Sequence, residues 1–232
     1  MIKPNFLAIV PARGGSKGIP HKNLVNLGNR PLIDWTLDAC IASKCIQEVI
    51  VSSDSSEILQ RATRFNFIAH ERSDELSGDL VQTSEVINSV LKFYEHLQHQ
   101  FSHFILLQPT SPLRTATHID EACNNLLANK ASSLISVLES DNTILKSLIL
   151  DDQQKLSASF TGNFFEMPRQ SLPRTFKPNG AIYISEILSY IHYNSFLQEN
   201  TIPYYMDEES SKDIDTPNDL LTTENILKNK KQ

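Results

Sequence analysis

Two stretches of the chain carry charge of opposite sign. Residues 1–33 hold Lys3, Arg13, Lys17, Lys22 and Arg30 and no acid, whereas residues 207–219 hold six acids against Lys212 alone. Within the basic stretch, residues 11–23 read PARGGSKGIPHKN. Paired glycines permit a tight loop with exposed backbone N–H groups, and three cations within ten residues would suit a polyphosphate. Spacing alone leaves a basic surface loop open. The loop is neither a Walker A motif nor a dinucleotide G-x-G-x-x-G, so P-loop and NAD readings lose support. Asp213 and Asp215 stand at i and i+2, which in an extended segment puts both carboxylates on one side. Such a pair can hold Mg²⁺ between phosphate oxygens, or it can be surface charge at a helix start. His96, His99 and His103, at spacings of three and four, suit a metal or an ordinary exposed helix end, and their polar neighbours favour the second.

The elements that must position these residues alternate. Residues 6–10 (FLAIV) form a short apolar run between prolines, as expected of a buried parallel strand. A helix is predicted over 31–43, a strand over 48–52, a helix over 55–65, a strand over 66–69 and a helix over 83–99. Further strands follow at 103–107 and 133–138, around a helix at 117–129. This order predicts a Rossmann-like α/β/α sandwich on a parallel sheet, with ligands at the carboxyl ends of the strands. Residues 140–178, rich in proline, break the alternation and read as an excursion. Strands at 180–184 and 201–206 return, and a last helix over 216–229 starts at Thr216 with Pro217 in its first turn.

Composition is that of one globular domain: 232 residues, 40% hydrophobic and 21% charged, which argues against long disorder. A net charge of −6 argues against nonspecific nucleic-acid binding. No apolar run reaches the roughly 18 residues of a membrane span, and the N-terminal apolar run is too short for a signal sequence, so a cytoplasmic location is expected. Cys40, Cys45 and Cys123 form no C-x-x-C pair; Cys40 and Cys123 read as buried small hydrophobes.

Five motifs, in order, carry a resemblance. They are Ala12–Pro20 (ARGGSKGIP) with Lys22-Asn23; Gln108–Arg114 (QPTSPLR); Pro168-Arg169-Gln170; Pro178–Tyr183 (PNGAIY); and Asp213–Thr216 (DIDT). Together they resemble the acylneuraminate cytidylyltransferases over residues 7 to about 229, which makes 1–232 a single cytidylyltransferase domain. The resemblance implies that CTP and a nine-carbon 2-keto sugar acid give the CMP-sugar and pyrophosphate, the anomeric 2-hydroxyl attacking the α-phosphorus in line. It implies that Arg13, Gly14, Ser16, Lys17 and Lys22 hold the phosphates, and that Asn23, Arg72 and Ser84 meet the nucleoside. Gln108, Tyr183 and Phe196 would line the sugar pocket, with Arg169 on the sugar carboxylate. Asp213 and Asp215 would ligate Mg²⁺, and Arg13, Lys22 and Asp215 would carry the catalysis. Residues 140–178 would be the dimerisation arm of a homodimer, with Lys146 entering the second site. The chain departs from the family at Lys177, where many relatives have Arg, and at His21.

Within this chemistry, legionaminate and pseudaminate are alternative substrates. The eight-carbon Kdo fits less well, because Pro-Arg-Gln with Pro-Asn-Gly-Ala-Ile-Tyr favours the sialate group. A nucleotide-binding module on the same fold is the non-enzymatic alternative, against which the intact Arg13, Lys22, Asp213 and Asp215 argue.

Overall fold

The computed structural model describes residues 4–78, 80–96 and 101–230. Lys3, His99 and the side chain of His96 lie outside them. In chain order the elements are β1 (Phe6–Pro11), β2 (Asn26–Leu27), β3 (Arg30–Pro31), α1 (Leu32–Ala42), β4 (Ile46–Ser53), α2 (Ser56–Arg64) and β5 (Ile68–Glu71). They continue with α3 (Thr83–His96), β6 (His103–Leu106), α4 (Ala116–Ala128), β7 (Ser133–Ser140), β8 (Leu148–Leu150) and β9 (Leu156–Ala158). The chain then forms β10 (Thr175–Glu186), α5 (Ile187–Tyr193), β11 (Thr201–Tyr205) and α6 (Pro217–Asn229). Each predicted helix and sheet strand is present within a few residues, except that β10 starts earlier. The helix α5 was not anticipated; at seven residues it is too short to show a period.

Seven strands form one sheet in the order β11-β7-β10-β6-β1-β4-β5. Side chains alternate across it. Phe6, Ala8 and Val10 of β1 face a core shared with Ile33 and Leu37 of α1, Ile58 of α2 and Ile119 and Leu126 of α4. Leu7 and Ile9 face the other way, onto Ile87, Val90 and Tyr94 of α3 and Tyr190 of α5. Burial on both faces explains why β1 reads as an unbroken apolar run rather than an alternating one. Each such Leu or Ile contributes about 1.5–3 kcal/mol relative to exposure. The expected three-layer α/β/α sandwich is therefore present.

The strands β1, β4, β5, β6, β7 and β11 all run parallel to one another, as expected, and one later strand runs against them. β10 is inserted antiparallel between β6 and β7. β7 runs through Ser140 and β10 begins at Thr175, so the two strands form one long hairpin and the excursion proper is 141–174, shorter than the expected 140–178. Pairing of β10 with β7 shifts register between Pro178 and Tyr183. In this bulge Ser136 Oγ donates to Asn179 Oδ1 at 2.6 Å and accepts from the Ile182 N–H at 2.7 Å, so side chains replace ladder bonds. Gly180 sits at φ +79°, and a Cβ there would stand 3.0 Å from Gln108 Oε1. The Pro-Asn-Gly-Ala motif is thus a backbone device that brings β10 against the Gln108 loop.

Candidate active site

The site lies where the sheet predicts it, beyond the carboxyl ends of β1, β4 and β6. The loop after β1 carries the cations. His21 takes a left-handed conformation, φ 50°, before a single 3₁₀ turn, Lys22–Leu24. Asn23 is buried and donates to the Arg13 carbonyl at 2.8 Å, tying the loop to itself. The loop after β4 adds Asp54, whose Oδ1 accepts from the Gly14 N–H at 2.7 Å.

The acidic pair reaches this loop from far along the chain. Ile214, fully buried, packs with Ile19, Leu27 and Leu32 beneath the loop, and its N–H donates to the Thr110 carbonyl at 2.9 Å. A buried residue between two acids anchors the segment and leaves the flanking carboxylates facing outward, as the i, i+2 spacing predicts. Thr216 caps α6 in a capping box with Asp219, with Pro217 in the first turn. Lys22 Nζ donates to Asp215 Oδ1 at 2.8 Å. Burial raises the pKa of the Asp213 carboxyl and the neighbouring Asp215 adds to this, against a hydrogen bond from Thr110 and the charge of Lys22.

These residues enclose two cavities. The first, about 340 Å³, is lined by Arg13, Gly15, Ser16, Lys22, Asn23, Arg72, Thr83, Gln108, Asp213 and Asp215, among others. The second, about 730 Å³, is lined by Gln108, Glu139, Asp141, Lys177, Gly180, Tyr183, Lys212 and Asp213, among others. Gln108 and Asp213 belong to both walls.

Most of the expected site residues converge here, and several sit apart. Gly14 and Lys17 are on the loop but outside the cavity wall; Lys17 is exposed. Thr83, not Ser84, lines the first cavity, while Ser84 Oγ turns to Gln82. Phe196 stands outside both walls. It packs on Tyr183, Tyr190 and Phe104, behind the second cavity rather than in its wall. Arg169 is exposed and paired with Asp141 at 3.3 Å, one side chain out from the second cavity. Arg174 is engaged by Glu139 through two bonds of 2.9 Å. Lys146 ends a 3₁₀ turn at the base of the excursion. His103 Nδ1 lies 2.8 Å from Ser102 Oγ and its ring packs tilted against Phe6, which fits a packing role.

Sequence reasoning missed the part played by Arg114. Its fully buried guanidinium donates to the carbonyls of Gln108 (3.1 Å) and Ala181 (2.9 Å) and to Thr36 Oγ1 (2.6 Å), clamping the Gln108 loop to β10 and α1. Burial lowers its pKa to about 10, so it stays charged near neutrality. The motif contains the residue, but a buried cation answered by carbonyls rather than a carboxylate has no signature in sequence. Cys40 and Cys123 are buried, as expected, and Cys45 Sγ lies 2.7 Å from Cys123 Sγ. Among the described residues no helix is long and apolar enough to cross a membrane.

A family model described as cytidylyltransferase matches residues 7–207. The chain belongs to the cytidylyltransferase family. It is 35% identical over 215 residues to an N-acylneuraminate cytidylyltransferase of Escherichia coli O18:K1:H7, covering 92% of this chain but 50% of that one. The chain thus spans about half the length of that relative and of its Streptococcus agalactiae counterparts. It is 33% identical over 228 residues to a CMP-N,N'-diacetyllegionaminic acid synthase of Legionella pneumophila, covering 96% of both chains. A solved structure of CMP:2-keto-3-deoxy-manno-octonic acid synthetase complexed with CTP superposes with TM-score 0.70 at 14% identity, over 97% of this chain and 99% of that one, a likeness of fold.

Proposed function

We propose that this chain is a nucleotidyltransferase that converts CTP and a nine-carbon 2-keto sugar acid of the N-acetylneuraminate type into the CMP-sugar and pyrophosphate. The carrying observation is that two cavities share Gln108 and Asp213. The first, cationic at Arg13, Lys22 and Arg72, suits CTP. The second suits a polar sugar, with Tyr183 and Lys177 in its wall. The shared wall is then where the anomeric 2-hydroxyl meets the α-phosphorus.

In this reading the oxygen–phosphorus bond forms at the α-phosphate as the bond to the pyrophosphate oxygen breaks. Arg13 and Lys22 neutralise the departing charge, and the chain contributes mainly alignment and electrostatics. Asp213 and Asp215 fit Mg²⁺: both are hard carboxylate donors on the first cavity wall, and a metal would offset the repulsion between these two neighbouring carboxylates. When bound, Mg²⁺ would supply charge neutralisation on phosphate oxygens. Arg169 and Lys177 are the cations for the sugar carboxylate.

The same reading makes the protein a homodimer. Ile144, Leu148, Ile149, Leu150, Leu156, Phe160 and Phe165 of the excursion are all exposed, an apolar surface that a second copy would cover. Lys146 would then reach the second copy's site. A cytoplasmic location agrees with the free thiols of Cys40, Cys45 and Cys123.

Legionaminate is the second reading, favoured by the match over 96% of both chains with the Legionella pneumophila relative; pseudaminate shares the same chemistry. Pyrophosphate release from CTP, measured across a panel of nonulosonic acids with Kdo included, decides among them. Release with none of the acids would overturn the enzyme reading in favour of a nucleotide-binding module.

A further inference from the structure

Arg72 lines the first cavity, but the grip that holds it there runs through residues outside that wall. Its Nε donates to Ser52 Oγ at 3.0 Å, and one terminal nitrogen donates to the Ser52 carbonyl at 2.8 Å. The other terminal nitrogen makes no hydrogen bond among the described residues. Ser52 on β4 is paired directly with His70 on β5. His70 Nδ1 lies 3.0 Å from Ser52 Oγ, and its Nε2 lies 3.4 Å from Ser89 Oγ on α3. Phe93 of α3 packs edge-on to the imidazole. Ser52 is fully buried and His70 nearly so.

The directions of these bonds follow from what each group can donate. A guanidinium only donates, so Ser52 Oγ accepts from Arg72. The serine has one proton, and burial requires it to find an acceptor. His70 Nδ1 is the acceptor in reach among the described residues. Nδ1 therefore carries no proton; Nε2 carries it and donates towards Ser89. The chain runs Ser52 to His70 to Ser89, with Arg72 donating into its head.

We infer that His70 is a positioning residue: as the neutral Nε2–H tautomer it orients the Ser52 hydroxyl, which fixes Arg72 with its unused terminal nitrogen available to the nucleotide. This rests on the first cavity being the nucleotide site. Burial and the charge of Arg72 both hold the pKa of His70 below its usual value, the direction a neutral imidazole needs. Arg72 is the charge that bears on the ring; β4 presents Ser52 to it, and α3 presents Ser89 and Phe93. Protonation would turn Nδ1 into a donor, strip the Ser52 proton of its acceptor and set a second cation beside Arg72.

The test begins with the unaltered chain. Imidazole ¹⁵N spectra at neutral pH should show His70 as Nε2–H with a hydrogen-bonded, unprotonated Nδ1; an Nδ1–H tautomer or an imidazolium would overturn the proposal. CTP affinity is then measured by calorimetry. His70→Asn keeps an acceptor near the Nδ1 position and should stay within about threefold of the unaltered chain, whereas His70→Leu should weaken CTP by about tenfold. Ser52→Ala, which removes the same relay without touching the ring, should match His70→Leu; it keeps the test decisive if the leucine variant does not fold. As pH falls below about 6.5, CTP affinity should drop more steeply in the unaltered chain than in His70→Asn. Equal affinities for all three variants, or parallel pH profiles, would overturn the positioning role. Absence of CTP binding by the unaltered chain would overturn the nucleotide reading instead, while the spectra still decide the tautomer.

Discussion

Lys22 Nζ lies 2.8 Å from Asp215 Oδ1, joining two segments 193 residues apart in the chain. The Lys22 side chain is 15% exposed and that of Asp215 is 71% exposed, so the pair sits at the mouth of the first cavity rather than in the core. Pairs of that exposure contribute about 0–1 kcal/mol to stability. The arrangement therefore has more to offer an anionic ligand than the fold.

It follows that Asp215→Asn should lower turnover by about a hundredfold or more while unfolding free energy changes by less than about 1 kcal/mol. Chelation of divalent ions should abolish turnover in the unaltered chain. Steady-state rates beside denaturant titrations check both, and full activity in excess chelator would remove Mg²⁺ from the reading.

Asp213 predicts a pH-dependent exchange of stability against activity. Its pKa is raised on folding, chiefly by burial. A carboxyl raised in this way costs nothing while both states are protonated; the cost grows as pH rises from the unfolded value of about 3.9 and is fully present above the folded value. Asp213→Asn should thus raise the thermal midpoint at neutral pH, give no such gain at about pH 3, and lose most of the activity. Melting curves at the two pH values test the sign.

Gly18 predicts a steric effect at the same junction. A Cβ on it would lie 2.3 Å from the Asp215 carbonyl oxygen, whereas one on Gly15 would meet nothing within 4 Å. Gly18→Ala must push the acidic segment off the loop, so turnover should fall by about tenfold or more, with about 1–3 kcal/mol lost from stability. Gly15→Ala should leave the melting temperature nearly unchanged. Melting curves and kinetics on both variants check the contrast.

The sugar carboxylate has two candidate cations. Lys177 lies in the wall of the second cavity, and Arg169 stands beyond it on Asp141. An arginine offers a carboxylate two parallel donors where lysine offers a point charge. Arg169→Lys should raise the sugar KM or lower kcat by about tenfold, about 1.4 kcal/mol, while the KM for CTP changes little. If Arg169→Ala is silent and Lys177→Ala is not, the carboxylate belongs to Lys177.

Much of this was legible in sequence because it depends on local pattern. The unbroken apolar run of β1 reports burial on both faces. Thr216-Pro217 with Asp219 three residues after the cap specifies the start of α6. The cationic loop and the alternating acids announce their chemistry by residue type. Tertiary structure alone decided the rest. Strand direction is set by pairing, so β10 read as a strand while its antiparallel insertion between β6 and β7 did not. That Thr83 and not Ser84 lines the first cavity turns on which way adjacent residues of one helical turn project. Arg114 and the Ser52–His70–Arg72 relay depend on hydrogen bonds between segments far apart in the chain, formed where water is excluded, and no short-range periodicity encodes them.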